Sequence, residues 1–121
     1  MHYEFLQLPH QGGKTRYLAE RVAELQDEGH DLVVVVTHDH GEAGAWYDLC
    51  FSVGIDPSRF MLLTPSTAQT AVRGFALAGI DNADLIDNLA EICYVVIPSM
   101  INENMVVTYT SPHFLRSSLF I

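Results

Sequence analysis

Leu8-Pro9-His10-Gln11-Gly12-Gly13-Lys14-Thr15 is the stretch on which the reading of this chain turns. Lys14 is the only lysine in the sequence, and it stands between a glycine pair and a threonine. Glycines let a backbone curl so that successive N–H groups point inward at an anion, and a helix starting at the loop adds its positive dipole end. In such a loop Lys14 supplies a point charge to the β- and γ-phosphates of a nucleotide, and the Thr15 hydroxyl is placed to ligate Mg²⁺. The full pattern is Gly-x-x-x-x-Gly-Lys-Ser/Thr, and Leu8 occupies its first glycine position. The bland alternative is an ordinary turn before a surface helix.

The flanks favour the phosphate loop, which requires a strand before it and a helix after it. His2 to Leu8 carries Tyr3, Phe5, Leu6 and Leu8, a short apolar run suited to a buried strand. Beyond Thr15, the residues Tyr17, Leu18, Val22 and Leu25 recur at helical spacing among Glu20, Arg21, Glu24 and Asp27, and Gly29 closes the helix.

Further along, Asp31 to His38 holds four consecutive valines and predicts a central strand of a parallel sheet. Its end, His38-Asp39-His40, reads as polar residues at a strand's carboxyl end in preference to a metal site, because no further ligand cluster follows. A helix is expected over Glu42 to Val53, stopped by Gly54, and a third strand over Phe60 to Leu63. Phe75 to Ile80 predicts a strand that delivers Asp81 at its carboxyl end, the place from which a carboxylate holds the water shell of Mg²⁺. Asp81 or Asp84 can equally serve as a helix N-cap, since Ala83 to Ile97 has helical apolar spacing through Leu85, Leu89, Ile92 and Val96. Tyr94 to Ile97 is also compatible with a strand, but Pro98 as a stop favours helix. A last strand is expected over Met105 to Thr110.

The alternation of strands and helices predicts an α/β fold: a mostly parallel sheet with helices on both faces and the ligand at the carboxyl ends of the strands. At 121 residues a single P-loop domain spanning 1–121 is expected. No apolar run approaches the roughly 20 residues of a membrane span, and the N-terminus shows no secretory pattern. Cys50 and Cys93 form no metal-type pair, so free thiols in a reducing cytoplasm are expected. Fifteen acidic residues against six basic ones give a net charge of -9, which opposes unaided binding to a nucleic-acid backbone.

The order of these parts resembles the ATPase core of viral DNA-packaging terminase large subunits, which is related to the RecA-like motor domain of superfamily 2 helicases. Gln11 to Thr15 is similar to the terminase phosphate loop. Val72-Arg73-Gly74, an apolar strand and then Asp81-Asn82-Ala83-Asp84 look like the Arg-Gly element leading to the metal-binding aspartate. Met105 to Pro112, ending Thr110-Ser111-Pro112, looks like the coupling strand with its Ser/Thr-rich triplet. These landmarks span residues 3 to 112. The resemblance implies a P-loop NTPase fold of the RecA-like (ASCE) kind, ATP and Mg²⁺ as ligands, and nucleotide contacts from His10, Gln11, Gly12, Gly13, Lys14 and Thr15. It further implies metal ligation by Thr15 and Asp81, catalytic positions at Asp81, Asn82 and Asp84, and coupling through Thr110 and Ser111. The expected setting is a homo-oligomer or a larger viral motor, touching DNA only with help from other subunits.

Two positions depart from the family. Where a glutamate follows the metal-binding aspartate, this chain has Asn82, which can orient a water but cannot take its proton at neutral pH. Where terminases commonly place an arginine, it has His10, mostly neutral at pH 7 if its pKa is near the unperturbed value of about 6.5. Hydrolysis therefore needs compensation from Asp84, Glu42 or a neighbouring subunit, and Arg73 and Arg59 are the basic residues to examine as arginine fingers, each equally suited to a structural salt bridge. The alternatives are an inactive terminase-like fold kept for assembly, with the apolar tail Phe114-Leu115 and Leu119-Phe120-Ile121 as a docking or packing element, and a small nucleoside or nucleotide kinase.

Overall fold

The computed structural model describes residues 2–9, 13–39, 41, 43–64, 76–87, 89 and 104–111. The strands are β1 (His2–Gln7), β2 (Val33–Val36), β3 (Phe60–Leu63), β4 (Ala76–Ile80) and β5 (Asn104–Tyr109), and the helices are α1 (Lys14–Asp27) and α2 (Ala43–Val53). They form one sheet in the order β1-β5-β4-β2-β3, with every neighbouring pair parallel. The last described strand thus lies between β1 and β4.

The valine run of β2 is buried on both faces, and its alternation sorts the core. Val33 and Val35 join Leu18, Ala19, Val22 and Leu25 of α1 and Trp46 and Cys50 of α2. Val34 and Val36 face the other way, with Leu77, Ile80, Met105 and Val107. Each fully buried valine contributes roughly 1.5–3 kcal/mol, which explains why four in succession mark a central strand. Both described helices lie on one face of the sheet. The other face is covered, among the described residues, by Ala83, Ile86 and Leu89.

α1 ends in the way its sequence predicts. Gly29 N–H bonds to the Gln26 carbonyl and His30 N–H to the Leu25 carbonyl, the paired bonds of a Schellman motif. β4 carries an extra residue: Val34 pairs with Leu77 and Val35 with Gly79, which leaves Ala78 as a bulge. Gly79 is required there, because a Cβ would sit 2.0 Å from the Val106 carbonyl oxygen and 2.9 Å from Leu18 Cδ1. Its missing side chain lets β5 and α1 close on β4, and that approach assembles the carboxyl edge of the sheet.

One expected element is corrected. The helix predicted from Ala83 is not continuous, because Ala83–Leu85 form a single 3-10 turn and Ile86 is extended. Its residues beyond Leu89, including Tyr94 to Ile97, lie outside the described residues. The physical reason is tertiary: the Asp84 carboxylate accepts the N–H groups of Thr110 at 3.3 Å and Ser111 at 2.8 Å, a tie to the end of β5 that helical periodicity cannot anticipate. Among the described residues no helix is long and apolar enough to cross a membrane.

Candidate functional site

α1 begins at a glycine. Its N-cap is Gly13, held in the left-handed region at φ 90° with no side-chain hydrogen bond to the first turn, and no acidic residue lies in that turn. No side chain at the N-cap thus satisfies the first-turn N–H groups, and the dipole at this end favours an anion. Lys14, the first helical residue, is only 4% exposed. The ion pairs among the described residues involve Arg16, Arg21 and His30, so no carboxylate pairs with Lys14 there. A lysine drawn into the fold without a counter-charge is costly unless something else supplies one.

Thr15 turns the next side chain toward β4. Its hydroxyl donates to Asp81 Oδ2 at 3.0 Å. The Thr108 hydroxyl, from the end of β5, donates to Asp81 Oδ1 at 2.6 Å and accepts the Asn82 N–H at 2.9 Å. Asp81 is fully buried at 0% exposure, yet both its oxygens are met by hydroxyls and by no cation among the described residues. The two residues expected to hold a metal are therefore in direct contact across 66 positions of sequence. Mg²⁺ is commonly held by one or two carboxylates together with waters and substrate phosphates, and the donor set of Thr15 and Asp81 fits that requirement. No cluster of three or more His, Cys, Asp or Glu exists among the described residues, so nucleotide oxygens and water would have to complete the shell.

Asn82 is the one described non-glycine residue at positive φ, at φ 54° and ψ 51°. Asparagine tolerates this region far better than glutamate does. The residue type at the position after Asp81 thus matches a backbone demand. Asp81 is not a helix cap, since Asn82 occupies the N-cap position of the short turn that follows. Asp84 is committed through Oδ2 to the Thr110 and Ser111 backbone, which makes it a strut between β4 and β5; its Oδ1 is buried without a hydrogen-bond partner among the described residues.

The remaining candidates divide. His10, Gln11, Gly12, His40, Arg73 and the side chain of Glu42 lie outside the described residues. Asp39 Oδ1 accepts the Gly41 N–H at 3.2 Å, an ordinary local turn. Arg59 takes a structural role: its guanidinium donates to the carbonyls of Gln26 at 2.9 Å and His30 at 2.6 Å, at the amino-terminal edge of the sheet, where it caps α1. Thr108 was not singled out by sequence because a threonine inside Met-Val-Val-Thr-Tyr reads as a strand former. The signal was available in its position one residue before the end of a strand that neighbours β4.

A cavity of about 250 Å³ lies elsewhere, between α1 and the amino halves of β1 and β5. Glu4, Glu20 and Glu24 line it beside Arg21 and Tyr17, and the Tyr17 hydroxyl donates to Glu4. That hydrogen bond, with burial and the neighbouring carboxylates, raises the Tyr17 pKa. Three carboxylates repel phosphate, so the cavity's size does not make it the nucleotide site. No protein-family model matches this chain, and no curated protein matches it in sequence.

Proposed function

We propose that this chain is a P-loop domain that binds ATP and Mg²⁺, of the kind found in terminase and helicase motors. The observation that carries the reading is the hydrogen-bonded set Thr15, Asp81 and Thr108 at the uncapped start of α1, with Lys14 drawn in beside it. Loop N–H groups and Lys14 would receive the phosphates, while Thr15 and Asp81 would hold the cation, which neutralises phosphate charge. Thr108 keeps the Asp81 carboxylate oriented by bonding one oxygen and the next backbone N–H together.

Binding is better supported than hydrolysis. Asn82 supplies no proton acceptor, and Asp84 is tied to backbone N–H groups. A role in DNA packaging or translocation fits a subunit of a homo-oligomer or larger viral motor in which neighbours supply the base and the basic surface that a net charge of -9 denies to this chain. The reading is tested by thermal unfolding with ATP and Mg²⁺. At ligand concentrations 100-fold above Kd, linkage adds about 2.7 kcal/mol and raises Tm by roughly 10 °C. An unchanged Tm at millimolar ATP and Mg²⁺ would sink it.

A further inference from the structure

The alternation that sends Val33 and Val35 to the α1 face sends Thr37 there as well. Its N–H donates to the Leu63 carbonyl at 2.8 Å, so the β2–β3 ladder runs on through this residue. On the other side Val36 pairs with Ile80, and the Val36 carbonyl accepts the Asp81 N–H at 2.8 Å. Thr37 therefore stands beside Asp81, about 4.8 Å away across a parallel ladder. Because Ile80 also pairs with Val107, Asp81 stands beside Thr108. Thr37, Asp81 and Thr108 form one row across β2, β4 and β5, on the face where α1 begins.

Among the described residues, two members of the row have side-chain partners and one does not. Thr37 is 0% exposed, and its Oγ1 has no hydrogen-bond partner among the described residues. Burying a hydroxyl without a partner is unfavourable, and valine, used at each of the four preceding positions, fills the same volume without that cost. The apolar pattern of the strand is broken at the one position that lies level with the buried carboxylate.

We propose that Thr37 is a positioning residue of the cation site, its hydroxyl hydrogen-bonding a water of the Mg²⁺ shell that Asp81 also holds. This rests on the nucleotide and Mg²⁺ reading of Lys14, Thr15 and Asp81. Mg²⁺ gives up its waters reluctantly and usually keeps several when bound. Side chains on one face of neighbouring strands, whose backbones lie about 4.8 Å apart, can share a single water through two hydrogen bonds of about 2.8 Å. Asp81 accepts one hydrogen of such a water and the Thr37 hydroxyl accepts the other. The arrangement explains why the side chain is a threonine and why it is buried.

The test is the Mg²⁺ concentration that half-saturates ATP binding, measured for the wild type, for the hydroxyl-free variants Thr37→Val and Thr37→Ala, and for Thr37→Ser. ATP affinity in EDTA and Tm without ligand are measured alongside. The hydroxyl-free variants are expected to need about 5- to 10-fold more Mg²⁺, with ATP affinity in EDTA unchanged. Thr37→Val should have a Tm no lower than wild type, and Thr37→Ser should keep wild-type Mg²⁺ dependence. A merely structural threonine moves Tm and leaves the Mg²⁺ requirement alone, and that outcome overturns the proposal. So does equal weakening of binding in EDTA. If Thr37→Val does not fold, Thr37→Ala carries the same comparison. Wild-type protein that binds no ATP at all removes the underlying reading and this proposal with it, a result distinct from failure of the variants alone.

Discussion

The two edges of the sheet both bury polar side chains, but they satisfy them differently. At the amino-terminal edge Gln26, 6% exposed, donates to the carbonyls of Asp56 at 3.0 Å and Arg59 at 3.1 Å and accepts the Asp56 N–H at 2.8 Å. Arg59 returns bonds to Gln26 and His30. The buried Gln26 amide is matched, and the cluster locks the end of α1 to the start of β3. At the carboxyl edge Lys14 has no carboxylate partner, Asp81 meets only hydroxyls, and the Thr37 hydroxyl has no partner among the described residues. A saturated polar cluster is what a scaffold needs; an under-saturated one, held open in the same rigid sheet, is what a ligand site needs.

The comparison breaks first at Lys14. Lys14→Ala should weaken ATP binding by roughly 10- to 100-fold with an unchanged far-UV circular dichroism spectrum, as expected for a residue whose partner is the ligand. Retained affinity would show that the loop is not the site. Gln26→Leu reverses the pattern: it should cost about 2 kcal/mol of stability by leaving buried backbone groups unpaired, measured by urea unfolding, with ATP affinity unaltered. A loss of binding there without a loss of stability would erase the distinction between the edges.

Asn82 sharpens the contrast, because it couples backbone strain to chemistry. Asn82→Glu should lose about 1 kcal/mol from the left-handed backbone, whereas Asn82→Gly should stay close to wild type; equal Tm values for Asn82→Glu and wild type would remove the conformational reason for asparagine. Added ATP turnover in Asn82→Glu would show that only the base was missing.

The smallest effect is expected at Asp56, whose carboxyl is held below its ordinary pKa by the Ser58 hydroxyl and N–H and by Arg59. A carboxylate depressed in the folded state stabilises above its unfolded pKa and loses that contribution as pH falls through the folded value. Wild type should therefore lose slightly more stability than Asp56→Asn on acidification below about pH 4.

Much of the α1 side was legible because its signals are local. The Gly-Gly-Lys-Thr turn, the helical spacing to Leu25 and the closing Gly29 all act within one segment, and the valine run declared a central strand. Asp81 was legible as a carboxylate delivered by an apolar strand. The insertion of β5 between β1 and β4 was not, since parallel pairing joins segments about a hundred residues apart and leaves no local trace. That insertion brings Thr108 to Asp81 and the Thr110 and Ser111 N–H groups to Asp84, so these particular pairings were hidden with it. Arg59 was open to two readings. Its charge suggested a finger, whereas the exposed carbonyls at the end of α1 claim it.

The central claim is that the under-saturated edge binds nucleotide with a divalent cation. Isothermal titration of ATP into the wild-type chain, with Mg²⁺ and then with EDTA, tests it most directly. The account predicts one saturable site per chain that is tighter with Mg²⁺ and lost or strongly weakened in Lys14→Ala; no saturable binding at millimolar ATP in either condition contradicts it.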